Sequence, residues 1–347
     1  MTDPDGTSET DDSTSETDDG TAGGPASIDP PSVAAAAEEL AVPDPAPEAV
    51  AVYRYLHDVW GERVLSGQQY EPDWGDDELD HVESVTGRLP ALMGSDFIHD
   101  DAAKPVERAR DWWERGGVPT LMWHWGAPGE THENEYQRSL TENVDVDLAD
   151  VLDPGTAEHE EFRDGLAEVA DRLGELRDDG VPVLWRPFHE FEGGWFWWGS
   201  GEPGQFVDLW ERTFEYFTEE RGLDNLVWVL CHTGEPDGDW VPDESTFDLV
   251  GGDTYPAGPG PNADIYDALV DIHGEDRPIA FHEVGTPPRP DDCVEADTWW
   301  AWWMQWHGDW LFDETGEEYL REVYDSDLVV TLEDLPDVVA EYGPADG

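Results

Sequence analysis

The sequence predicts an α/β fold, a single (β/α)8 TIM barrel, and three observations support this prediction. Short apolar segments with the length of β-strands recur eight times along the chain. Segments with a helical pattern lie between strands, as alternating βα units require. The eight units occupy about 300 residues, which fits one barrel. A doubly wound open sheet is the alternative fold, but no GxGxxG or P-loop motif opens a helix immediately after a predicted strand to support it.

The N-terminal part of the chain differs in composition from the rest. Residues 1–33 contain nine acidic residues, no basic ones and almost no large apolar side chains, so they cannot form a core. A short helix over about 34–41 and the Pro-rich joint VPDPAP follow. We therefore expect residues 1–46 to be a disordered acidic and Pro-rich leader. One folded domain is predicted over residues 47–347, beginning with a helix at about 47–60.

The predicted elements alternate through this domain. Long helical patterns cover 160–180 and 203–222. In a barrel of this class the functional side chains lie at the carboxyl ends of the strands, so the polar residues there are the candidates for chemistry. The eight predicted strands are 63–69, 89–97, 118–125, 181–190, 226–233, 247–256, 277–285 and 298–308.

The chain is strongly acidic, with 17 basic and 84 acidic residues and a formal charge of 17 − 84 = −67. Lys104 is the only lysine. Such a surface repels itself unless salt screens it, and in molar salt screening acts over about 3 Å. The composition therefore predicts a protein that works in high salt, and it argues against nucleic acid and anionic membranes as partners.

Cysteine usage and targeting signals say little about compartment. Cys231 and Cys293 provide neither a disulfide framework nor a CxxC metal motif. The sequence as given has no apolar run of about 18 residues that could span a membrane, and no basic and then apolar signal at its N-terminus. Localisation therefore stays open.

The segment WRPFHEFEGGWFWWG, residues 185–199, carries the strongest functional signal. An apolar strand ends in Arg186, His189 and Glu190, and four aromatic residues follow at 195–198. A carboxyl group whose pKa is raised by apolar surroundings, next to flat rings that stack on sugars, is typical of a glycosidase. The alternative is a core strand that leaves the barrel with one charged residue.

A second carboxylate ends the seventh predicted strand, where RPIAFHEVG contains Glu283. A retaining glycosidase needs one carboxyl group as proton donor and one as nucleophile, about 5–5.5 Å apart, and an inverting enzyme holds them further apart. The sequence does not fix this distance.

Other strand ends supply Trp123, His124, Tyr255 and Trp306 as candidates for the same cleft. Each has a structural alternative. A histidine such as His124 or His189 can be a hydrogen-bonded core residue, Tyr255 can be a turn tyrosine, and Trp306 can be one more core ring.

Several of these motifs resemble glycoside hydrolase family 26, whose members are chiefly β-mannanases. The resemblance rests on HE followed by GGWFWWG, with WHW, GGDTYP and EVG at three other strand ends, and on DSDLVVTLEDLP near the C-terminus. It covers about residues 50–340. Together with the acidic composition, it predicts a halophilic-type acidic member of the family. It implies a retaining endo-β-1,4-mannanase whose catalytic domain is residues 47–347.

The resemblance also implies residue roles. Glu190 matches the family's acid/base and Glu283 its nucleophile, while Arg186, His189, Trp195 and Tyr255 match residues of the sugar subsites. His124 and Trp306 are expected to line the pocket nearest the cleaved bond, the imidazole by hydrogen bonding and the indole by stacking.

One residue departs from the family pattern. Members often have Asn two residues after the acid/base, and this chain has Glu192. A carboxylate therefore stands where the family often has an amide at the adjacent subsite, and we expect this extra acid to raise the pKa of Glu190 further.

Competing functions come from three classes. Family members also cut mixed-linkage β-glucan or β-1,3-xylan. A metal-dependent barrel hydrolase would use strand-end ligands, although 63–69 has no HxH motif; a glycan-binding protein without catalysis is the third. We expect a monomer without cofactor or metal that acts on a β-linked polysaccharide, and that is extracellular if this substrate is a polymer. The candidate metal ligands are His124, His189, His232, His282, Glu190, Asp253 and Glu283.

Overall fold

The computed structural model of the chain describes residues 40–74, 77–98, 102–130, 134–256 and 258–344. The leader predicted over 1–33 and most of the helix predicted over 34–41 lie outside these residues. Residues 40–46 are described and lie against the barrel. Val42 is buried, and the backbone N–H of Ala41 donates to Asp248 Oδ1 at 2.6 Å.

Ten parallel strands are found among the described residues, and eight of them, β2 to β9, close into a barrel. Closure occurs where Gln68 of β2 pairs with Gln305 of β9. The predicted (β/α)8 TIM barrel is confirmed. The first predicted strand is divided into β1 and β2, and β1 joins β10 beside the barrel. The strands are β1 Val64–Leu65, β2 Gly67–Gln69, β3 Leu92–Asp96, β4 Val118–Met122, β5 Val183–Arg186, β6 Leu226–His232, β7 Leu249–Thr254, β8 Ile279–Val284, β9 Trp300–Gln305 and β10 Val329–Val330.

Helices follow most strands and cover the outside of the barrel. In the fully described stretch 233–248, between β6 and β7, two 3-10 turns replace the usual α-helix. None of the described helices is long and apolar enough to cross a membrane. The α-helices are α1 Pro47–Val59, α2 Glu78–Thr86, α3 Ala103–Glu114, α4 Glu135–Ser139, α5 Leu148–Leu152, α6 Ala157–Asp178, α7 Pro203–Glu215, α8 Ala263–His273, α9 Pro290–Glu295, α10 Glu317–Tyr324 and α11 Val338–Tyr342.

Local sequence accounts for the helix boundaries. The Thr156 side chain accepts the N–H of His159 and begins α6, and Glu202 with Gln205 forms a capping box at the start of α7. Gly87 ends α2 with φ of 73°, a left-handed conformation that glycine adopts without strain. The two longest predicted helical patterns therefore begin where polar caps satisfy the first backbone N–H groups.

The barrel strands are buried on both faces, as expected for a parallel sheet between side-chain layers and helices. All seven residues of β6 are buried, and Trp302 and Trp303 of β9 are also fully enclosed. The Trp-rich eighth predicted strand therefore contributes mainly to the core. Two irregularities in strand pairing, between Gly252 and Thr254 and between Phe281 and Val284, coincide with Asp253 and Glu283. Such bulges re-aim side chains near functional sites.

Candidate active site

An open cleft of about 610 Å³ lies at the carboxyl ends of the strands. It contains both candidate carboxylates and a ring of aromatic and polar side chains. This is the end of a (β/α)8 barrel that carries function. The lining residues are Gln69, Glu71, Asp96, Ile98, His124, Tyr136, Glu190, Phe196, Tyr255, Glu283, Trp306, His307 and Trp310.

Glu190 lies in a tight turn just after β5. Phe188 and Glu190 have φ values of 50° and 54°, and non-glycine residues in this region cost on the order of 1–3 kcal/mol each. The Glu190 N–H donates to the carbonyl oxygen of Cys231 at 2.9 Å, which ties the turn to β6. The strained turn directs the carboxyl group into the cleft.

The surroundings of Glu190 favour its protonated form. Burial and the negative charge of Glu283 raise its pKa to about 7. The indole Nε1 of Trp195 donates to Glu190 Oε2 at 2.6 Å and opposes this shift. Trp195 itself is 42 % exposed and its ring lies over Gly193, where a Cβ atom would be 2.2 Å from it. Gly193 is therefore required for Trp195 to reach the carboxyl group.

Glu283 is surrounded by hydrogen-bond donors, unlike Glu190. It is 4 % exposed, and it accepts hydrogen bonds from Arg186 Nη2 on one oxygen and from the Tyr255 hydroxyl on the other. Hydrogen bonds and a neighbouring cation both favour an ionised carboxylate. Glu283 is therefore held in one orientation beside a cation.

Arg186 is fully buried and joins two acids. Its Nη1 donates to Asp253 Oδ2 at 2.7 Å, while Nη2 bonds Glu283. Burial disfavours the guanidinium charge, but Asp253 and Glu283 outweigh it and raise the pKa of Arg186. Asp253 also accepts the Cys231 thiol at 2.9 Å. The fixed guanidinium supplies the cation behind Glu283.

Two histidines in contact with each other lie close to Glu283, and His124 is the one that lines the cleft. His124 Nδ1 lies 2.5 Å from Asp96 Oδ2, and the Nε2 atoms of His124 and His189 are 3.1 Å apart. Burial and Arg186 lower the pKa of His189 well below its usual value, so this ring is neutral. His189 Nε2 lies 3.8 Å from Glu283 Oε1. Asp96 thus fixes the orientation of a pair of rings beside Glu283.

The predicted residues meet in one site, with one exception. The five residues His124, Glu190, Tyr255, Glu283 and Trp306 line the cleft. Arg186, His189 and Trp195 each lie against a carboxylate of the pair. The exception is Trp123, which does not line the cleft but faces a separate groove outside the barrel, because successive residues at a strand end point to opposite sides.

Sequence reasoning missed several residues of the cleft. Asp96 ends the second predicted strand and could have been found by the same strand-end rule as Glu283. Tyr136 lies on the short helix α4, and Trp310 on a π-helical turn after β9. No pattern in the sequence separates these two rings from the many core aromatics.

Glu192 does not act on Glu190 as the sequence suggested. Its carboxylate is turned away from the cleft and contacts His232 Nδ1 and the N–H of Thr233. The Nε2 atom of His232 in turn lies 2.8 Å from the Nε2 atom of His273. The raised pKa of Glu190 comes from burial and Glu283 instead.

The candidate metal ligands divide into separate groups. Among the described residues, Glu190, Asp253 and Glu283 offer oxygens that all lie within 4.8 Å of one another. Arg186 lies between Asp253 and Glu283 and competes for the oxygens a metal would need. His282 accepts the Trp302 indole at 2.9 Å on the core side. Among the described residues, the ligands that the alternative metal-dependent hydrolase would use are therefore not assembled at one point.

Comparison with known proteins decides the family. The model of Glycosyl hydrolase family 26 matches residues 41–334. The chain belongs to glycosyl hydrolase family 26. The family predicted from the strand-end motifs is confirmed.

Relatives in family 26 are named for activity on mannan. A mannan endo-1,4-beta-mannosidase of Thermothelomyces thermophilus is 33% identical over 303 residues, covering 83% of this chain and 61% of the relative. Mannan endo-1,4-beta-mannosidase B of Piromyces is 29% identical over 85% of this chain and 53% of its own length. The chain thus spans little more than half the length of these curated relatives.

Solved structures of family 26 share the fold closely. The Podospora anserina GH26-CBM35 beta-(1,4)-mannanase has a TM-score of 0.80 and 31% identity, covering 91% of this chain and 71% of that one. A beta-mannanase from a symbiotic protist of the termite Reticulitermes speratus has a TM-score of 0.78 and 29% identity, covering 86% and 97%. The second was solved with a gluco-manno-oligosaccharide.

Proposed function

We propose that the chain is a retaining endo-β-1,4-mannanase with Glu190 as acid/base and Glu283 as nucleophile. One observation carries the proposal: both carboxylates face one cleft and have oxygens within 4.8 Å of each other. Retaining glycosidases hold the two groups about 5–5.5 Å apart, whereas inverting enzymes leave about 6.5–9.5 Å for a water molecule. The short separation supports double displacement. The catalytic domain is proposed to be residues 47–347, preceded by an acidic leader.

The first half of the reaction needs opposite charges on the two groups. Glu190, with a pKa raised to about 7, donates its proton to the glycosidic oxygen as the bond breaks. Glu283 attacks the anomeric carbon and forms a covalent glycosyl-enzyme. Arg186 and Tyr255, which donate to the two oxygens of Glu283, keep it charged until the attack.

The second half reverses the role of Glu190. Once Glu283 is esterified its negative charge is gone, and one cause of the raised pKa of Glu190 disappears with it. The Glu190 carboxylate then accepts a proton from water as the water attacks the anomeric carbon. The bond from this carbon to Glu283 breaks at the same time and releases Glu283 as a carboxylate. The Trp195 hydrogen bond favours this ionised form. The short distance between the acids therefore couples the two steps.

The remaining site residues hold sugar rings and orient the acids. Trp306 offers a ring face to the pyranose next to Glu283. His124, whose two ring nitrogens lie against Asp96 and His189, forms part of the cleft wall beside it. His189 is neutral, and its Nε2 atom contacts that of His124 on the side away from the cleft. The exposed face of Trp195 is suited to stack on the sugar that leaves.

Mannan is the substrate best supported by the comparisons, because the relatives in sequence are named as mannan endo-1,4-beta-mannosidases. Mixed-linkage β-glucan and β-1,3-xylan remain the alternative polymers. We propose no metal or cofactor, since a two-carboxylate mechanism needs neither. A binding protein without catalysis would have no need for a paired proton donor and nucleophile.

The setting of the enzyme is proposed from its charge. A net charge of −67 with one lysine suits a halophilic protein that works as a monomer in concentrated salt. A polymeric substrate cannot enter a cell, so an extracellular location fits this function.

Reducing-sugar release from β-mannan, mixed-linkage β-glucan and β-1,3-xylan tests the proposal, at neutral pH in molar salt with and without chelator. We expect release from mannan that resists chelator and falls by at least about 10³-fold in Glu190→Ala and Glu283→Ala. Release that chelator abolishes would support a metal-dependent hydrolase. No release from any polymer would contradict the enzymatic function.

A further inference from the structure

A second groove lies on the outside of the barrel, separate from the catalytic cleft. Its volume is about 380 Å³, and Trp123 lies in its wall. Trp123 is the first residue of the WHW motif, whose central His124 faces the cleft. The proposed function gives Trp123 no role.

Trp123 is the outer member of a stack of three rings. Its ring centroid lies 3.9 Å from that of Trp125 with an interplanar angle of 12°, and Trp125 stacks on Phe162 at 5.2 Å and 19°. Trp125 and Phe162 are buried, whereas Trp123 is only partly so. Gly165 lets α6 approach this stack, because a Cβ there would lie 2.6 Å from the Trp125 ring. The outer ring is thus held rigidly, which lowers the entropic cost of binding a ligand on it.

Polar side chains surround this ring. Glu161, Asp164 and Glu168 lie on one face of α6 at spacings of three and four residues. Arg138 lines the groove with a side chain that is 23% exposed, and it donates to Glu135 at 2.8 Å. The groove therefore offers an aromatic face together with acceptors and a donor. A pyranose presents the matching surfaces, an apolar C–H face and a rim of hydroxyl groups.

The short helix α4 separates the groove from the cleft. Tyr136 of this helix lines the cleft, and Glu135 and Arg138 line the groove. One five-residue helix therefore divides the two sites.

We propose that this groove is a second carbohydrate-binding site, which holds a β-1,4-linked mannan chain on Trp123 while the cleft cuts a neighbouring chain. The class of sugar rests on the proposed function. An uncharged glycan fits better than a cation, because Arg138 lines the same groove and repels a cation, whereas a sugar can use the Trp123 ring and the polar rim together. The site keeps the enzyme on insoluble polysaccharide between cuts.

Retention on insoluble β-mannan in molar salt tests this inference, using full-length chains that carry Glu190→Gln to prevent hydrolysis. Trp123→Leu keeps the apolar contact with Trp125 but removes the flat face. We expect it to weaken binding about threefold to tenfold, the effect of one aromatic contact. Trp113→Leu is the matched control, since Trp113 is a partly buried ring of α3 that does not line the groove, and it should leave binding unchanged.

Equal retention of the Trp123→Leu and parent chains, or an equal loss in the Trp113→Leu control, would overturn the proposal. Asp164→Ala, at an exposed position on the rim, provides the same test without touching the ring stack. In chains that retain Glu190, Trp123→Leu should lower the rate on insoluble mannan and leave kcat/KM on soluble mannotetraose unchanged. If the wild type hydrolyses mannan and Trp123→Leu does not change retention, the proposed groove site is contradicted and the enzymatic function is not. If Trp123→Leu weakens retention and the wild type does not hydrolyse mannan, the enzymatic function is contradicted and the groove site is not.

Discussion

The protonation of Glu190 depends on three neighbours that act in different directions. Burial and Glu283 raise its pKa, and the Trp195 indole, donating to the carboxylate, lowers it. The strained turn from Phe188 to Glu190 fixes these distances. The acid is therefore protonated below about pH 7 and ionised above it, and activity that needs a proton donor should fall as the pH rises through this value.

Replacing the indole donor of Trp195 should change the pH at which activity falls. In Trp195→Phe the ionised form of Glu190 loses a hydrogen bond, so its pKa should rise and the alkaline limb of kcat/KM should move up by about one pH unit. Trp299→Phe is the control, since Trp299 Nε1 donates to the carboxylate of Asp297 and neither residue lines the cleft. The measurement is the pH profile of mannan hydrolysis from pH 5 to 9. A limb that stays in place, or moves down, contradicts this assignment.

The single residues differ in how well the sequence predicts them. Glu190 and Glu283 follow apolar strands, so the strand-end rule and the family motif both indicate them. Glu192 stands two residues from Glu190, yet its side chain contacts His232, since the direction of a side chain in a loop depends on the fold. Tyr136 and Trp310 lie on short helical turns, and nothing in the sequence distinguishes them from the aromatic residues of the core.

Among the secondary-structure elements, the strands were easier to predict than their connections. The eight predicted strands correspond to the barrel strands, because β-branched and aromatic runs between turn residues give a clear signal. The missing helix between β6 and β7 and the bulges near Asp253 and Glu283 had no such signal. Those bulges are determined by pairing with neighbouring strands.

One loop element ties the N-terminal segment to the barrel. Asp248, just before β7, is buried and accepts the N–H groups of Ala41 and Trp228, each at 2.6 Å. Burial raises the pKa of Asp248 to about 7, although these two bonds and Arg277 oppose the shift. Between about pH 4 and pH 7, Asp248 is therefore protonated in the folded state. In the unfolded chain, where its pKa has the ordinary value of 3.8, it is ionised over the same interval.

The contribution of Asp248 to the stability of the fold should consequently fall as the pH rises from about 4 to about 7. Asp248→Asn cannot ionise, so its melting temperature should fall less over this interval than that of the wild type. At pH 4 the variant should be less stable by about 1 kcal/mol, because the amide replaces one acceptor. Thermal unfolding at constant molar salt measures both curves. Parallel curves would mean that Asp248 does not titrate in this range.

At the scale of the whole molecule, charge is the dominant property. The 84 acidic residues exceed the 17 basic ones, and only nine of the acids fall within residues 1–33. Many arginines are already paired, such as Arg110 with Asp179 and Arg163 with Glu220. The remaining carboxylates repel one another across the surface.

Salt should therefore stabilise the protein over a wide range. The melting temperature should rise by several degrees between 0.1 M and 2 M NaCl, as the screening length falls from about 10 Å to about 2–3 Å. Sucrose of equal osmolality is the control, because it is excluded from the surface without screening charge. A melting temperature that does not respond to NaCl, or responds equally to sucrose, would count against the halophilic assignment.

The most direct test of the mechanism is to trap the glycosyl-enzyme. A 2-deoxy-2-fluoro-mannobioside with a good leaving group should form the covalent intermediate and slow its hydrolysis. Mass spectrometry of the digested protein should then find the sugar on the peptide that contains Glu283, in the wild type and not in Glu283→Ala. Sugar attached to a different residue, or no adduct in a preparation that hydrolyses mannan, would contradict the assignment of Glu283 and the retaining mechanism.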